Sequence, residues 1–287
     1  MRLSEVYQQK KTVLSFEIFP PKRDTTLTSI DETLAVLCGL KPDYISVTFG
    51  AGGSATNSLT VGLAKKIKKE YGIEPVVHLT CINYTKDEIL AFADELAEAE
   101  IENVLALRGD KNPDIPPKEE FFYASELVSF LREKRSNLCV AGACYPEGHT
   151  EAVDKVTDLH NLKKKTEAGA EFLISQLFFD NELFYKFREN MRIADIKAPV
   201  SAGIMPVINR AQIERMVTLC GASLPEKFKR ILQKYEFDKD ALFDAGMIYA
   251  VNQIVDLVAH DAEGIHVYTM NNPVVAKRIC DSIKNLI

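Results

Sequence analysis

A (β/α)8 barrel is the fold this sequence predicts, on three observations. Short apolar runs alternate with amphipathic stretches eight times along 287 residues. No Pro/Gly/Ser-rich linker or block of charge divides the chain. Polar residues recur at the C-terminal ends of the apolar runs, the end at which such a barrel builds its active site. Residues 1–287 are therefore expected to form one single-domain TIM barrel.

The first run is Thr12-Val-Leu-Ser-Phe-Glu-Ile-Phe19, closed by Pro20-Pro21. β-Branched and aromatic residues ended by a double proline read as a strand. A doubly wound open sheet would put a glycine-rich phosphate loop here, and the prolines stand in its place. Further strands are predicted at 43–49, 74–81, 103–108, 139–145, 172–178, 199–205 and 265–270. Helical periodicity fills 26–38, 57–71, 86–99, 119–134, 151–168, 181–194 and 209–220. Thr85 followed by Glu88 has the form of a capping box at a helix start. Gly39, Gly72 and Gly169 stand where a left-handed residue ends a helix. A longer helical region spans 225–260, and the charged segment 221–240 with Pro225 is an extra excursion before the last strand. A helix at 273–285 closes the chain.

Charged residues make up 26% and hydrophobic residues 46%, which suits a protein with a sizeable core. The net charge of −6 argues against nucleic acid as principal partner, since phosphate backbones call for a basic surface. The lysine runs at 65–69 and 163–165 read as solvated helix faces, within which a single lysine can still reach a phosphate. Met1 to Lys11 is polar, without the apolar core of a secretion signal, and no apolar stretch approaches the length of a bilayer span. The six cysteines form no Cys-x-x-Cys pair, so reduced thiols in a cytoplasmic protein are expected and no metal site is. Homo-oligomerisation stays open.

Glu17 stands out. Strand side chains alternate, so Phe16 and Ile18 share one face while Ser15 and Glu17 share the other. A carboxylate inside a strand costs several kcal/mol unless it is paired, hydrogen-bonded or protonated. The anomaly repeats: Thr48 ends the second strand, His78 and Thr80 the third, Leu107-Arg-Gly-Asp110 the fourth, and Cys144-Tyr-Pro-Glu-Gly-His149 the fifth. Gln176 ends the sixth, Gly203-Ile-Met-Pro206 the seventh, and the eighth carries His266 and Tyr268. Each alone reads as a satisfied core group; eight converging on one face make an active site.

Several chemistries lack their residues. There is no His-Glu-x-x-His, no Gly-x-Ser-x-Gly elbow and no lysine within a strand for a Schiff base. Gly50-Ala-Gly-Gly53 either cradles a phosphate or forms a tight turn. What remains is a polar cup suited to a bound organic cofactor.

Nine segments taken together resemble the methylenetetrahydrofolate reductase family. They are Phe16-Glu-Ile-Phe-Pro-Pro-Lys22, Val47-Thr-Phe-Gly-Ala51, His78-Leu-Thr-Cys81, Leu107-Arg-Gly-Asp110 and Tyr145-Pro-Glu-Gly-His149. Asp158-Leu-His-Asn-Leu-Lys-Lys-Lys165, Gln176-Leu-Phe-Phe-Asp180, Gly203-Ile-Met-Pro206 and Tyr268-Thr-Met-Asn271 complete them, in the family's order from end to end. The resemblance implies a flavoprotein that passes hydride from NADH or NADPH through FAD to 5,10-methylenetetrahydrofolate. It implies that Thr48, His78, Leu107, Arg108, Gly109, Asp110, Tyr145 and His149 line the flavin. Asp158, Asn161 and Lys165 match positions that hold the ribose, pyrophosphate and adenine. Asp110 would serve flavin and folate alike, and Gln176 and Tyr268 would contact substrate.

Glu17 is then the expected general acid, since ring opening of the folate requires a proton on the departing nitrogen. That role requires a protonated carboxyl, in surroundings expected from Phe16 and Phe19. Two positions depart from the family pattern: Arg210 stands where an aromatic is common, and Asn272 where an arginine is. Arg210 either stacks on a flat ring or is solvated surface. Two other classes compete: a flavin-bearing subunit fed electrons by a partner protein, and a flavin-free pterin-dependent methyltransferase. The visible spectrum and reaction with nicotinamide and menadione discriminate them.

Overall fold

The computed structural model describes the backbone of residues 1–21, 27–49, 54–110 and 116–287, with side chains apart from those of 27–29, 54–58, 210–212 and 215. Eight strands alternate with helices: β1 Val13–Ile18, β2 Tyr44–Val47, β3 Glu74–Thr80, β4 Asn103–Leu107, β5 Cys139–Cys144, β6 Phe172–Ser175, β7 Val200–Ile204 and β8 Gly264–Tyr268. All pair in parallel with their sequence neighbours, and β8 pairs with β1 to close the barrel. The predicted (β/α)8 fold is the one observed.

The helices are α1 Leu3–Gln9, α2 Leu27–Gly39, α3 Ser54–Tyr71, α4 Lys86–Glu98, α5 Ala124–Lys134, α6 Lys155–Glu167, α7 Asn181–Ile193, α8 Arg210–Cys220, α9 Glu226–Tyr235, α10 Lys239–Ala259 and α11 Pro273–Ile283. The capping box is real: Thr85 Oγ1 accepts the Glu88 N–H at 3.2 Å, and the Glu88 carboxylate accepts the Thr85 N–H at 2.7 Å. The region expected between 225 and 260 is two helices, hinged where Asp238 caps α10 through the Ala241 N–H. Those helices carry their own core, in which Phe228 and Leu232 of α9 and Leu242 of α10 cover Phe179, Met205 and Val207. By length and composition α10 is apolar enough to cross a membrane, contrary to the expectation that no stretch approaches such a span. It buries Leu242, Met247, Ala250, Ile254 and Leu257 within the protein.

Register sets the two faces of the strands. Phe16 and Ile18 are fully buried against the helices with Leu34, Leu37 and Ile67. Ser15 and Glu17 point inward, level with Tyr44 and Ser46 of β2 and with His266 and Tyr268 of β8. The lower interior is apolar, formed by Val13, Val76, Leu105, Phe172 and Ile174. Helix α1, which sequence periodicity did not reveal, plugs that end. Leu3 is fully buried there, its N–H donates to Asn103 Oδ1 at 2.9 Å, and Arg2 pairs with Glu171 at 2.5 Å.

Candidate active site at the mouth of the barrel

Glu17 lies at the C-terminal end of β1 with its side chain one-fifth exposed, facing the barrel axis. Its neighbours are imidazoles. Nε2 of His78 lies 3.6 Å and Nε2 of His266 3.7 Å from Glu17 Oε2. The expected flanking by Phe16 fails, because alternation sends that ring outward to the helices. Burial pushes the His78 pKa down to about 4, against the pull of the Glu17 charge and with the help of His266, so the ring is neutral at pH 7.

The backbone around Glu17 is clamped from β8. Thr269 Oγ1 donates to the Glu17 carbonyl at 2.8 Å. The Asn271 amide donates to the Phe19 carbonyl at 2.8 Å, and its oxygen accepts the Phe19 N–H at 3.0 Å. Asn271 adopts φ 55°, a left-handed conformation that asparagine tolerates better than most residues. The next residue, Asn272, accepts the N–H groups of Val274 and Val275 at 3.0 and 3.3 Å and so caps α11. The Asn272 side chain is thus occupied within the fold. The side chain of Arg210 and the turn Gly50–Gly53 lie outside the described residues.

Tyr268 reaches across the barrel to donate its hydroxyl to the Ser175 carbonyl at 2.7 Å. It passes over Gly203, where a Cβ would sit 2.8 Å from the tyrosine ring and 2.3 Å from that carbonyl oxygen. The glycine of Gly203-Ile-Met-Pro206 is therefore a clearance for Tyr268. Burial raises the Tyr268 pKa well above its ordinary value, so it acts as a donor. At the end of α8, burial raises the Cys220 thiol pKa, and the charges of Asp110 and Glu17 raise it further.

The opposite wall is built by the turns after β4 and β5. Arg108, beyond Leu107, grips Glu151 with two bonds of 2.7 and 2.6 Å, and its Nε donates to the Gly109 carbonyl at 3.1 Å. Tyr145 meets the His149 ring edge-on at 4.6 Å. His149 Nδ1 accepts the Glu151 N–H at 3.1 Å, while the His149 N–H donates to Asp158 at 3.2 Å. Burial raises the pKa of Asp158, opposed by that hydrogen bond and by Lys165. Lys165 donates its ammonium to the Ala143 carbonyl at 2.6 Å, and burial lowers its pKa.

The predicted residues thus divide. Glu17, His78 and Tyr268 gather at the mouth, Asp110 lies in the turn after β4, and Tyr145, His149, Asp158 and Lys165 are linked one to the next. Asn161 is solvent-exposed on α6. Gln176 turns its amide oxygen back onto the Leu177 N–H at 2.9 Å. Thr48 holds the end of β2 through main-chain bonds, its N–H donating to Ile18 and its carbonyl accepting Thr60 Oγ1. Sequence set His266 among the polar strand ends without a specific role and gave Ser15 none, although register places both on the face of Glu17.

The family model for methylenetetrahydrofolate reductase matches residues 2–284. The 5,10-methylenetetrahydrofolate reductase of Salmonella typhimurium is 33% identical over 281 residues, covering 98% of this chain and 93% of that protein. That of Escherichia coli shows the same figures. Methylenetetrahydrofolate reductase (NADH) 1 of Arabidopsis thaliana is 32% identical over 286 residues, and the match spans 48% of its length. Among solved structures, an uncharacterized Clostridium thermocellum protein that binds two copies of 5-methyl-5,6,7,8-tetrahydrofolic acid superposes with a TM-score of 0.69 at 12% identity, covering 100% of this chain and 99% of that one. At that identity the likeness concerns the barrel alone. A family match over residues 2–284, joined to 33% identity over nearly the whole length of a bacterial reductase, assigns the chain: it belongs to the methylenetetrahydrofolate reductase family.

Proposed function

We propose that this protein reduces 5,10-methylenetetrahydrofolate to 5-methyltetrahydrofolate, with FAD as hydride carrier and NADH or NADPH as hydride source. The observation that carries the reading is the Glu17 carboxyl, set at the barrel mouth within 3.7 Å of two imidazoles and clamped through its own carbonyl. An acid there serves a reaction in which a ring must open before hydride can be accepted.

The residues present fit FAD. Gly142 leaves a groove on β5 that the Lys165 stem occupies, and the buried ammonium rests on one carbonyl beside Asp158. Such a cation suits a pyrophosphate, and Asp158 at the start of α6 suits ribose hydroxyls. When bound, the flavin supplies hydride transfer between nicotinamide and folate. The chain's own residues do the rest. Tyr145, His149 and the Leu107–Asp110 turn hold the ring system, Asp110 sets the charge beside it, and Gln176 and Tyr268 orient the substrates.

Glu17 donates its proton to the departing nitrogen of the folate. The O–H bond breaks as an N–H bond forms, and the electron pair of the cleaved C–N bond stays on that nitrogen. The electrophilic carbon left behind is the hydride acceptor. General-acid help of this kind is worth ~10²–10⁴ in rate.

The test is the purified chain itself. It is expected to be yellow, to release FAD on denaturation, to oxidise a nicotinamide with menadione and to consume methylenetetrahydrofolate. FMN alone, or no flavin, refutes the cofactor; inertness to both nicotinamides favours a subunit fed by a partner protein.

A further inference from the structure

Among the described residues, three inward-facing polar atoms beside Glu17 are buried without a hydrogen-bond partner: Nε2 of His78, Nε2 of His266 and Oγ of Ser46. Buried polar atoms are nearly always paired, and the exceptions concentrate where a fold keeps groups ready for chemistry. For both imidazoles the acceptor near at hand is Glu17 Oε2.

Of the two rings His266 is the fixed one. It is fully buried, stacks on Tyr44 at 6.1 Å with 20° between planes, and meets the Tyr268 ring edge-on at 5.1 Å. Its Nδ1 lies 2.8 Å from Ser15 Oγ, closer than that hydroxyl lies to the Ile265 carbonyl at 3.3 Å. With the Ser15 hydroxyl donating to Nδ1, the ring proton sits on Nε2, and this is the tautomer that gives the otherwise unpartnered Nε2 an acceptor in Glu17 Oε2.

We propose that His266 is a positioning residue for Glu17: its Nε2–H holds Oε2, so that Oε1 carries the acid proton towards the substrate. This rests on the proposed folate reduction. At 3.7 Å the contact is beyond hydrogen-bond length, and contacts of this kind tighten when reactants close a site. The movable partner is Glu17, whose side chain is one-fifth exposed. As Oε1–H breaks and the substrate N–H forms, Glu17 becomes a carboxylate. The ring proton stays on His266, and the new charge meets a donor already in place. The other titratable groups facing this pair are His78 on β3, Tyr268 on β8, Tyr44 on β2 and Cys220 on α8.

The experiment measures both half-reactions by rapid mixing in the FAD-loaded protein. His266→Leu is expected to slow folate reduction by ~10²-fold, the usual cost of a lost preorganised donor, while flavin reduction by nicotinamide changes by no more than about twofold. His266→Gln keeps an N–H near the Nε2 position and should recover most of the loss. Ser15→Ala, which frees the tautomer, should slow the folate step alone and carries the test if His266→Leu does not fold. Parallel loss of both half-reactions, failure of glutamine to rescue, or an unaltered folate step in His266→Leu or Ser15→Ala overturns the role. Wild type that oxidises nicotinamide yet leaves methylenetetrahydrofolate untouched overturns the proposed reaction itself, and the role with it.

Discussion

The stem of Lys165 crosses β5 directly over Gly142, where a Cβ would come within 2.7 Å of the lysine Cδ. Gly142→Ala is therefore expected to leave the barrel folded, because the obstacle is a flexible chain, and to lift the ammonium from the Ala143 carbonyl. If Lys165 holds the adenylate end of FAD, dissociation constants rise by about tenfold, or ~1.4 kcal/mol. Fluorescence titration of apoprotein with FAD reads this directly. Unchanged affinity would remove Lys165 from the cofactor site.

Glu17→Gln retains shape and removes the acid proton. The variant should bind FAD and accept hydride from nicotinamide nearly as wild type does, while folate reduction falls by ~10²–10⁴. Loss of both half-reactions together would instead mark Glu17 as a structural carboxylate.

Asp110 ends the turn after β4, and its charge is felt by Cys220 and Tyr145 across the mouth. A carboxylate beside the flavin opposes the negative charge gained on reduction. Asp110→Asn should raise the flavin reduction potential in an anaerobic dye titration and weaken folate turnover. A potential identical to wild type places Asp110 away from the ring.

Acid should weaken the fold through His78. Its pKa falls from an ordinary 6.5 to about 4 because burial disfavours the charged ring. Between those values the unfolded chain binds a proton that the native chain refuses, so this contribution is complete above pH 6.5 and lost as pH falls towards 4. Up to about 3 kcal/mol is at stake. Melting curves across that window should flatten in His78→Leu; an identical slope means the ring titrates normally.

The plug at the lower end has its own test. Asn103 is fully buried, accepts the Leu3 N–H at 2.9 Å and donates to the Met1 carbonyl at 3.0 Å. Asn103→Leu strands both main-chain groups and should cost about 1–3 kcal/mol, seen as a lowered melting temperature with the flavin site intact. A melting temperature equal to wild type would show that α1 is held by Leu3 burial alone.

Strand positions were legible because a barrel strand must bury its outward face continuously and interrupt its inward face with polar groups at one end. All eight observed strands lie within a residue of the predicted segments or inside them. Helix α1 was hidden: seven residues with one buried side chain, Leu3, and no side-chain cap leave no periodicity to detect. The Asn271 clamp was hidden for another reason. Its partner, Phe19, lies 252 residues away, and no local pattern encodes a bond across that distance. The same separation hid the bond of His266 to Ser15, although sequence had set His266 among the polar strand ends.

Closure of β8 against β1 has a kinetic corollary. Ser15 and His266 are separated by 251 residues, so the proton-handling layer exists only after the two ends of the chain have met. The wall carrying Tyr145, His149 and Lys165 is made by β4, β5 and α6, whose contacts are short in sequence. A refolding chain should therefore regain FAD affinity ahead of folate turnover. An open barrel, with β8 not yet docked, would be a flavin binder that takes electrons and has no acid with which to use them.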